Sequence, residues 1–230
     1  MAETKKIKVK KKKRKLKVKR VLICLLVIIL IILLFIFIKN LPIRNIYIVG
    51  NNILSDKEIM ELGGISDYPS FVTTSKRKVE SKLEKNDYVK EVAVKKNFFN
   101  KVYINIKENK ILATYNDKLI LENGDVIDNT YNLSSIPILT NDVGGIIEKF
   151  TKKFALIDDD MLLKISEITY SPNEVDNERF ILKMNDGNIV YITLNKITKI
   201  NKYNSIYSKM EGKKGIIYLD SGDYIEVKEN

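Results

Sequence analysis

The sequence predicts an α+β fold: a single transmembrane helix, then a compact β-α-α-β-β unit, then a second, mixed α+β domain. Three observations predict it. Residues 21–38, "VLICLLVIILIILLFIFI", are an unbroken run of eighteen apolar residues. Residues 43–108 alternate between strand-like stretches of period two and two short amphipathic helices. From Ile111 onward, short strand patterns recur between the turn dipeptides Asn123-Gly124, Asp186-Gly187 and Ser221-Gly222.

The apolar run comes first. At a rise of 1.5 Å per residue it makes a helix about 27 Å long, close to the hydrocarbon thickness of a bilayer. A cleaved signal sequence has a shorter apolar region and ends in small residues, whereas this run ends in "FIFIKNLP". A buried core helix would keep a polar face, and none is present. The flank sets the orientation. Residues 1–20 hold twelve Lys or Arg against one acid, Glu3, and so carry the chain's whole net charge of +11. Basic flanks stay cytoplasmic, which places residues 39–230 outside the cell. Beside a membrane span, such a tail binds anionic lipid headgroups, at roughly 1 kcal/mol per basic residue. No aromatic is interleaved to stack on bases, so no specific nucleic-acid partner is expected. Cys24, the one cysteine, lies inside the span, so the exterior part is held by its core and not by disulfides.

The exterior chain opens on "IRNIYIVG", a strand with Ile46 and Ile48 on one face and Tyr47 and Val49 on the other. Gly50-Asn51-Asn52 ends it. "SDKE" then matches a capping box, Ser55 and Glu58 exchanging hydrogen bonds at a helix start. Ile59 and Leu62 are expected inward, with Gly63-Gly64 as the stop. A second helix begins near Ser75, with Val79 and Leu83 inward. "YVKEVAVKK" and "NKVYINIKEN" follow as strands around a loop holding Phe98-Phe99-Asn100. Val102, Ile104 and Ile106 share the core face of the second strand.

In the remainder, a helix over residues 145–156 groups Ile147, Phe150 and Phe154, and Asp158 to Met161 open another short one. "ITKINKYNSIYSKMEG" predicts a further helix with Ile200, Tyr203, Ile206, Tyr207 and Met210 near one stripe and Gly212 as its stop. "KGIIYLDSGDYIEVKEN" closes as a hairpin whose final strand is expected at a sheet edge, with Lys228 and Glu229 blunting its end. No long linker separates the two units, so a rigid arrangement is expected.

A β-α-α-β-β unit just outside a single span resembles the POTRA domain of the FtsQ/DivIB family of bacterial division proteins. "IRNIYIVGNNILSDKEI" is similar to that family's opening strand, Gly-Asn turn and first helix. "VKEVAVKKNFFNKVYINIKENKILA" is similar to its closing strands. "ENGDVID", "IPILTN" and "FILKMNDGNIVYI" look like its β-domain. There are departures: Phe99 stands where the family usually has Pro, Ile111 replaces a common Pro after the strand-ending Glu108, and "IYL" precedes Asp220 where the family has an apolar-Asp-Leu pattern. The resemblance implies a basic tail at 1–20, a span at 21–38, a POTRA domain at 41–110 and a β-domain at 111–230. It implies a non-enzymatic scaffold at the division septum that binds the coiled-coil proteins FtsL and DivIC (the FtsB counterpart) and helps control septal peptidoglycan synthesis. It also places partner capture at the end of the β-domain.

The residues offer little competing chemistry. The chain has no His, which removes the commonest general base and metal ligand. Asp158-Asp159-Asp160 lacks calcium-loop spacing and suits a helix N-terminus. Ser75-Lys76-Arg77-Lys78 matches a Ser-x-x-Lys string without its companion motifs. No catalytic residue, metal or cofactor is expected. Tyr203, Tyr207, Tyr218 and Tyr224 fit either core or contact surface; together with Ile225 and Val227 they are the candidate partner-binding residues, through strand addition. The alternative is a membrane-anchored cell-envelope enzyme or ligand sensor, which calls for a concave pocket with converging polar groups. A POTRA-bearing translocase would require a membrane β-barrel, whose repeated ten-residue strand pattern the sequence lacks.

Overall fold

The computed structural model describes residues 17–227. The expected readings of the tail up to Leu16, and of Lys228 and Glu229, fall outside the described residues. Helix α1 (Val18–Lys39) contains the apolar run, buries none of its residues against the protein and is long and apolar enough to cross a membrane. The chain leaving it is fastened at once to the first folded domain. Phe71 N–H donates to the Leu41 carbonyl (2.8 Å), Ile43 N–H to Pro69 (3.0 Å) and Arg44 N–H to Asn100 (2.9 Å).

That domain contains β1 (Asn45–Val49), α2 (Asp56–Gly63), α3 (Lys76–Leu83), β2 (Val89–Asn97) and β3 (Lys101–Glu108). Its sheet runs β1-β3-β2, with β1 parallel and β2 antiparallel to β3. The alternation read from the sequence is observed: Val102, Ile104 and Ile106 face the core with Ile59, Val79 and Leu83. On the other face, Tyr47 stacks on Tyr103.

The Ser55–Glu58 capping box forms. Ser55 Oγ accepts from the Glu58 amide (3.3 Å) and Glu58 Oε2 from the Ser55 amide (2.8 Å). Leu62 departs from expectation and is exposed. At about 100° per residue, the line through Ile59 continues more closely through Gly63 than through Leu62. Gly63 is buried, and a Cβ there would sit 3.2 Å from Val79. The turn before α2 is closed by Glu108, whose carboxylate accepts from the amides of Asn52, Ile53 and Leu54 at 2.9, 2.9 and 2.8 Å. Gly50 (φ 90°) is required there, since a Cβ would lie 2.1 Å from the Ile106 carbonyl oxygen.

The second domain opens with β4 (Ile111–Tyr115), β5 (Lys118–Leu121), β6 (Val126–Asp128) and β7 (Ile138–Leu139). Helices α4 (Ile147–Phe154) and α5 (Asp159–Leu162) precede β8 (Ile165–Tyr170), β9 (Arg179–Met184) and β10 (Ile189–Thr193). Helix α6 (Tyr203–Tyr207), β11 (Gly215–Tyr218) and β12 (Tyr224–Val227) complete it. The nine strands form one sheet in the order β12-β11-β10-β9-β8-β7-β4-β5-β6. Phe150 and Phe154 of α4 pack on Phe180 of β9, with ring centroids 5.7 and 5.5 Å apart.

The single helix expected over residues 197–211 is instead a 3₁₀ helix (Leu194–Lys202), then α6, then a 3₁₀ turn (Ser208–Met210). The reason is the spacing. Leu194, Ile197, Ile200 and Tyr203 recur every third residue and all are buried, and residues three apart eclipse on a 3₁₀ helix.

The two domains share apolar packing. Leu119 of β5 belongs to the first domain's core and its neighbour Ile120 to the second's. Tyr131 sits edge-on to Tyr88 (5.1 Å) and donates to Glu58 Oε1 (3.1 Å). Lys90 pairs with Glu122 at 2.9 Å.

Candidate partner-binding edge

Strand β12 pairs antiparallel with β11 in the register Tyr218↔Tyr224, Ile217↔Ile225, Ile216↔Glu226 and Gly215↔Val227. Its other side pairs with no strand among the described residues. Tyr224 and Val227 are exposed and Ile225 is half-buried. The expected edge position is therefore observed, and the strand presents free backbone donors and acceptors along a short apolar stretch.

An aromatic stack runs across the sheet to this edge. Arg179 of β9 lies over the Tyr191 ring at 4.4 Å. Tyr191 stacks on Tyr218 at 5.1 Å, and Tyr218 on Tyr224 at 4.4 Å, each pair with nearly parallel rings. The inner end is fixed by Asp220, which accepts from Arg179 Nε at 2.8 Å. Burial alone would push the Asp220 carboxyl up, but hydrogen bonds from Arg179 and Ser221 hold it below the usual range. At the outer end Tyr218 donates to Glu226 (3.2 Å), and desolvation, with the Glu226 charge, pushes its phenol up.

On the other face of β12, Ile225, Ile217, Leu219 and Ile206 floor a groove of about 340 Å³ rimmed by Lys199, Lys202 and Lys209. Asp223, paired with Lys199 at 2.5 Å, is the acid on that rim. The groove therefore suits an apolar segment carrying acidic side chains.

Four of the candidate residues, Tyr218, Tyr224, Ile225 and Val227, come together on β11 and β12. Tyr203 does not, because it is only 2% exposed. Its hydroxyl donates to Asp186 (2.7 Å) and accepts from Asn188 Nδ2 (2.8 Å), and burial with Asp186 pushes its pKa up. Asn188 Oδ1 in turn accepts from the Gly215 amide at 2.8 Å. Tyr203 thus acts inside the core, holding the start of β11. Tyr207 is half-buried and stacks on Tyr203 at 6.1 Å, outside the groove lining. Sequence reasoning missed Tyr191, Arg179 and Asp220. Tyr191 is flanked by apolar residues in "IVYIT", but its pairing with Tyr218 spans a crossover that no local pattern reveals.

A larger cleft of about 920 Å³ lies between the two domains. Apart from the exposed Lys107, its charges are already engaged: Lys90 with Glu122, Lys110 with Asp159 (2.5 Å), and Glu108 with three amides. Asp158 to Asp160 begin α5 as expected, and no group of three His, Cys, Asp or Glu that could hold a metal occurs among the described residues.

The model for the POTRA domain, FtsQ-type, matches residues 41–109. The chain is 32% identical over 201 residues to cell division protein DivIB of Bacillus subtilis (strain 168), covering 80% of this chain and 73% of that one. It is 30% identical to DivIB of Geobacillus kaustophilus (strain HTA426), covering 79% and 74%. Against DivIB of Staphylococcus aureus (strain NCTC 8325 / PS 47) it is 28% identical, covering 70% of this chain and 38% of that longer one. Among solved structures, the major extracytoplasmic domain of the trans isomer of DivIB from Geobacillus stearothermophilus matches at 26% identity and a TM-score of 0.37, covering 46% of this chain and 96% of that one.

Proposed function

The chain belongs to the DivIB family of cell division proteins, and we propose that it works there by binding, as a single-pass scaffold at the division septum. In this reading residues 1–20 are a cytoplasmic tail held against anionic lipids, and 21–38 are the span. Residues 41–110 form the extracytoplasmic POTRA domain and 111–230 the β-domain. The β-domain receives FtsL- and DivIC-type proteins, and through them the scaffold helps control septal peptidoglycan synthesis. The observation that carries the reading is the open edge of β12, backed by the Tyr191–Tyr218–Tyr224 stack. A partner segment adding as a strand would satisfy the free backbone groups, while the Lys-rimmed groove accepts its apolar and acidic side chains. The orientation follows from the basic flank of the span.

The test uses the full chain in its own membrane. Cells depleted of the protein should filament and be rescued by the parent chain. Tyr224→Ala and Val227→Lys variants should keep the parent's melting temperature, rescue poorly, and recover at least tenfold less of the two coiled-coil partners from solubilised membranes. Folded variants that captured both partners at parental levels would exclude β12 as the receiving strand.

A further inference from the structure

Phe98 and Phe99, in the turn between β2 and β3, are 87% and 83% exposed, the two most exposed aromatic side chains among the described residues. Among the described residues, no element covers them. The backbone makes the choice of residue less expected still: Phe99 has φ 64° and Asn100 φ 57°. A bulky side chain at positive φ is an outlier, a conformation that Asn or Gly adopts far more readily. Neither core packing nor turn geometry accounts for the two rings.

Their position does. Asn100 Nδ2 donates to the Pro42 carbonyl at 2.9 Å, and the Asn100 carbonyl accepts from Arg44 N–H at 2.9 Å. Pro42 is three residues beyond Lys39, where α1 ends, a reach of at most about 11 Å along an extended chain. A second loop meets the chain at the same place. Ser70 Oγ donates to the carbonyl of Lys39 itself, and Phe71 N–H to Leu41. That loop also exposes apolar groups, with Tyr68 45% and Val72 51% accessible. Lys39, Arg44 and Lys95 are exposed around them, while Lys96 is tied to the carbonyls of Phe71 and Thr74. The headgroup layer on each side of a bilayer is about 5–8 Å thick. Aromatic rings with basic neighbours at that level match the chemistry of membrane interfaces.

We infer that Phe98 and Phe99, with Tyr68 and Val72, form a footing that seats the first domain on the outer surface of the bilayer crossed by α1. The occupant is lipid, because the patch is continuous with the span through hydrogen bonds to residues 39–44. The footing adds a second point of attachment to the one that the hydrogen bonds at residues 39–44 supply, and so fixes how the domain stands over the membrane.

The chain contains no tryptophan, so a single introduced indole reports without background. Phe98→Trp, Phe99→Trp and, as a solvent reference on the second domain, Val175→Trp would each be placed in the full chain in nanodiscs containing phosphatidylglycerol. Brominated phospholipid should quench the first two at least twofold and leave the reference unquenched, while iodide should reach only the reference. Phe99→Asn, which suits the positive φ, should melt no lower than the parent, yet reduce lipid quenching of Phe98→Trp at least twofold. Indoles at 98 and 99 open to iodide and untouched by brominated lipid would overturn the inference. So would emission shifted to the blue without lipid quenching, which would mean a second copy of the chain covers the turn.

Discussion

Tyr203 shows what a single side chain does here. Its hydroxyl joins Asp186 to Asn188, and Asn188 holds the Gly215 amide. Tyr203→Phe would leave those buried partners underused, a loss of about 1–3 kcal/mol, seen as a lower melting temperature. The same phenol gives a pH dependence. Its folded pKa is raised, so the stability it contributes is complete below the pKa of an unfolded phenol, about 10, and is lost as pH rises further. Tyr131 and Tyr218 shift in the same direction. Denaturation curves should therefore show stability falling above about pH 10, less steeply in Tyr203→Phe. The sequence singled out Tyr203 because it lies on a buried-looking stripe. It could not say whether the ring faced a partner or the core, since that depends on Asp186 and Asn188, which arrive from another hairpin.

Local elements were legible where their signals are local. The capping box of α2 was readable in "SDKE", and Ser55→Ala should lower the first domain's stability by about 1 kcal/mol in thermal melts. Ile104 at the centre of β3 was equally plain from alternation. It is fully buried, and Ile104→Asp should leave that domain unfolded by circular dichroism, because an unpaired charge would enter its core. The segment over residues 194–210 was misread because its every-third-residue spacing was fitted to an α-helix. Beyond the closing hairpin and the edge position of β12, the sheet order was not legible, since the parallel pairs β4–β7, β7–β8 and β10–β11 join residues separated by crossovers. One consequence of that order is testable at Gly215, where a Cβ would meet the Glu226 carbonyl oxygen at 2.4 Å. Gly215→Ala should push β12 away, lowering both partner capture and stability, the latter by about 1–3 kcal/mol.

The whole molecule is knit by one strand whose successive residues serve different cores, Leu119 the first and Ile120 the second. Leu119→Ala should cost about 2–5 kcal/mol and lower a single calorimetric transition; two separate transitions with only one shifted would show the domains to be independent. The sheet order adds a matter of distance. Strand β6 stands at the domain junction and β12 at the far end, eight strand spacings away. At about 4.8 Å per spacing the sheet is a ruler of roughly 38 Å, shortened somewhat by twist. A partner rooted in the same bilayer and captured on β12 as proposed would therefore be gripped at a set remove from the first domain. On that reading, a partner stalk of the wrong length would miss its seat.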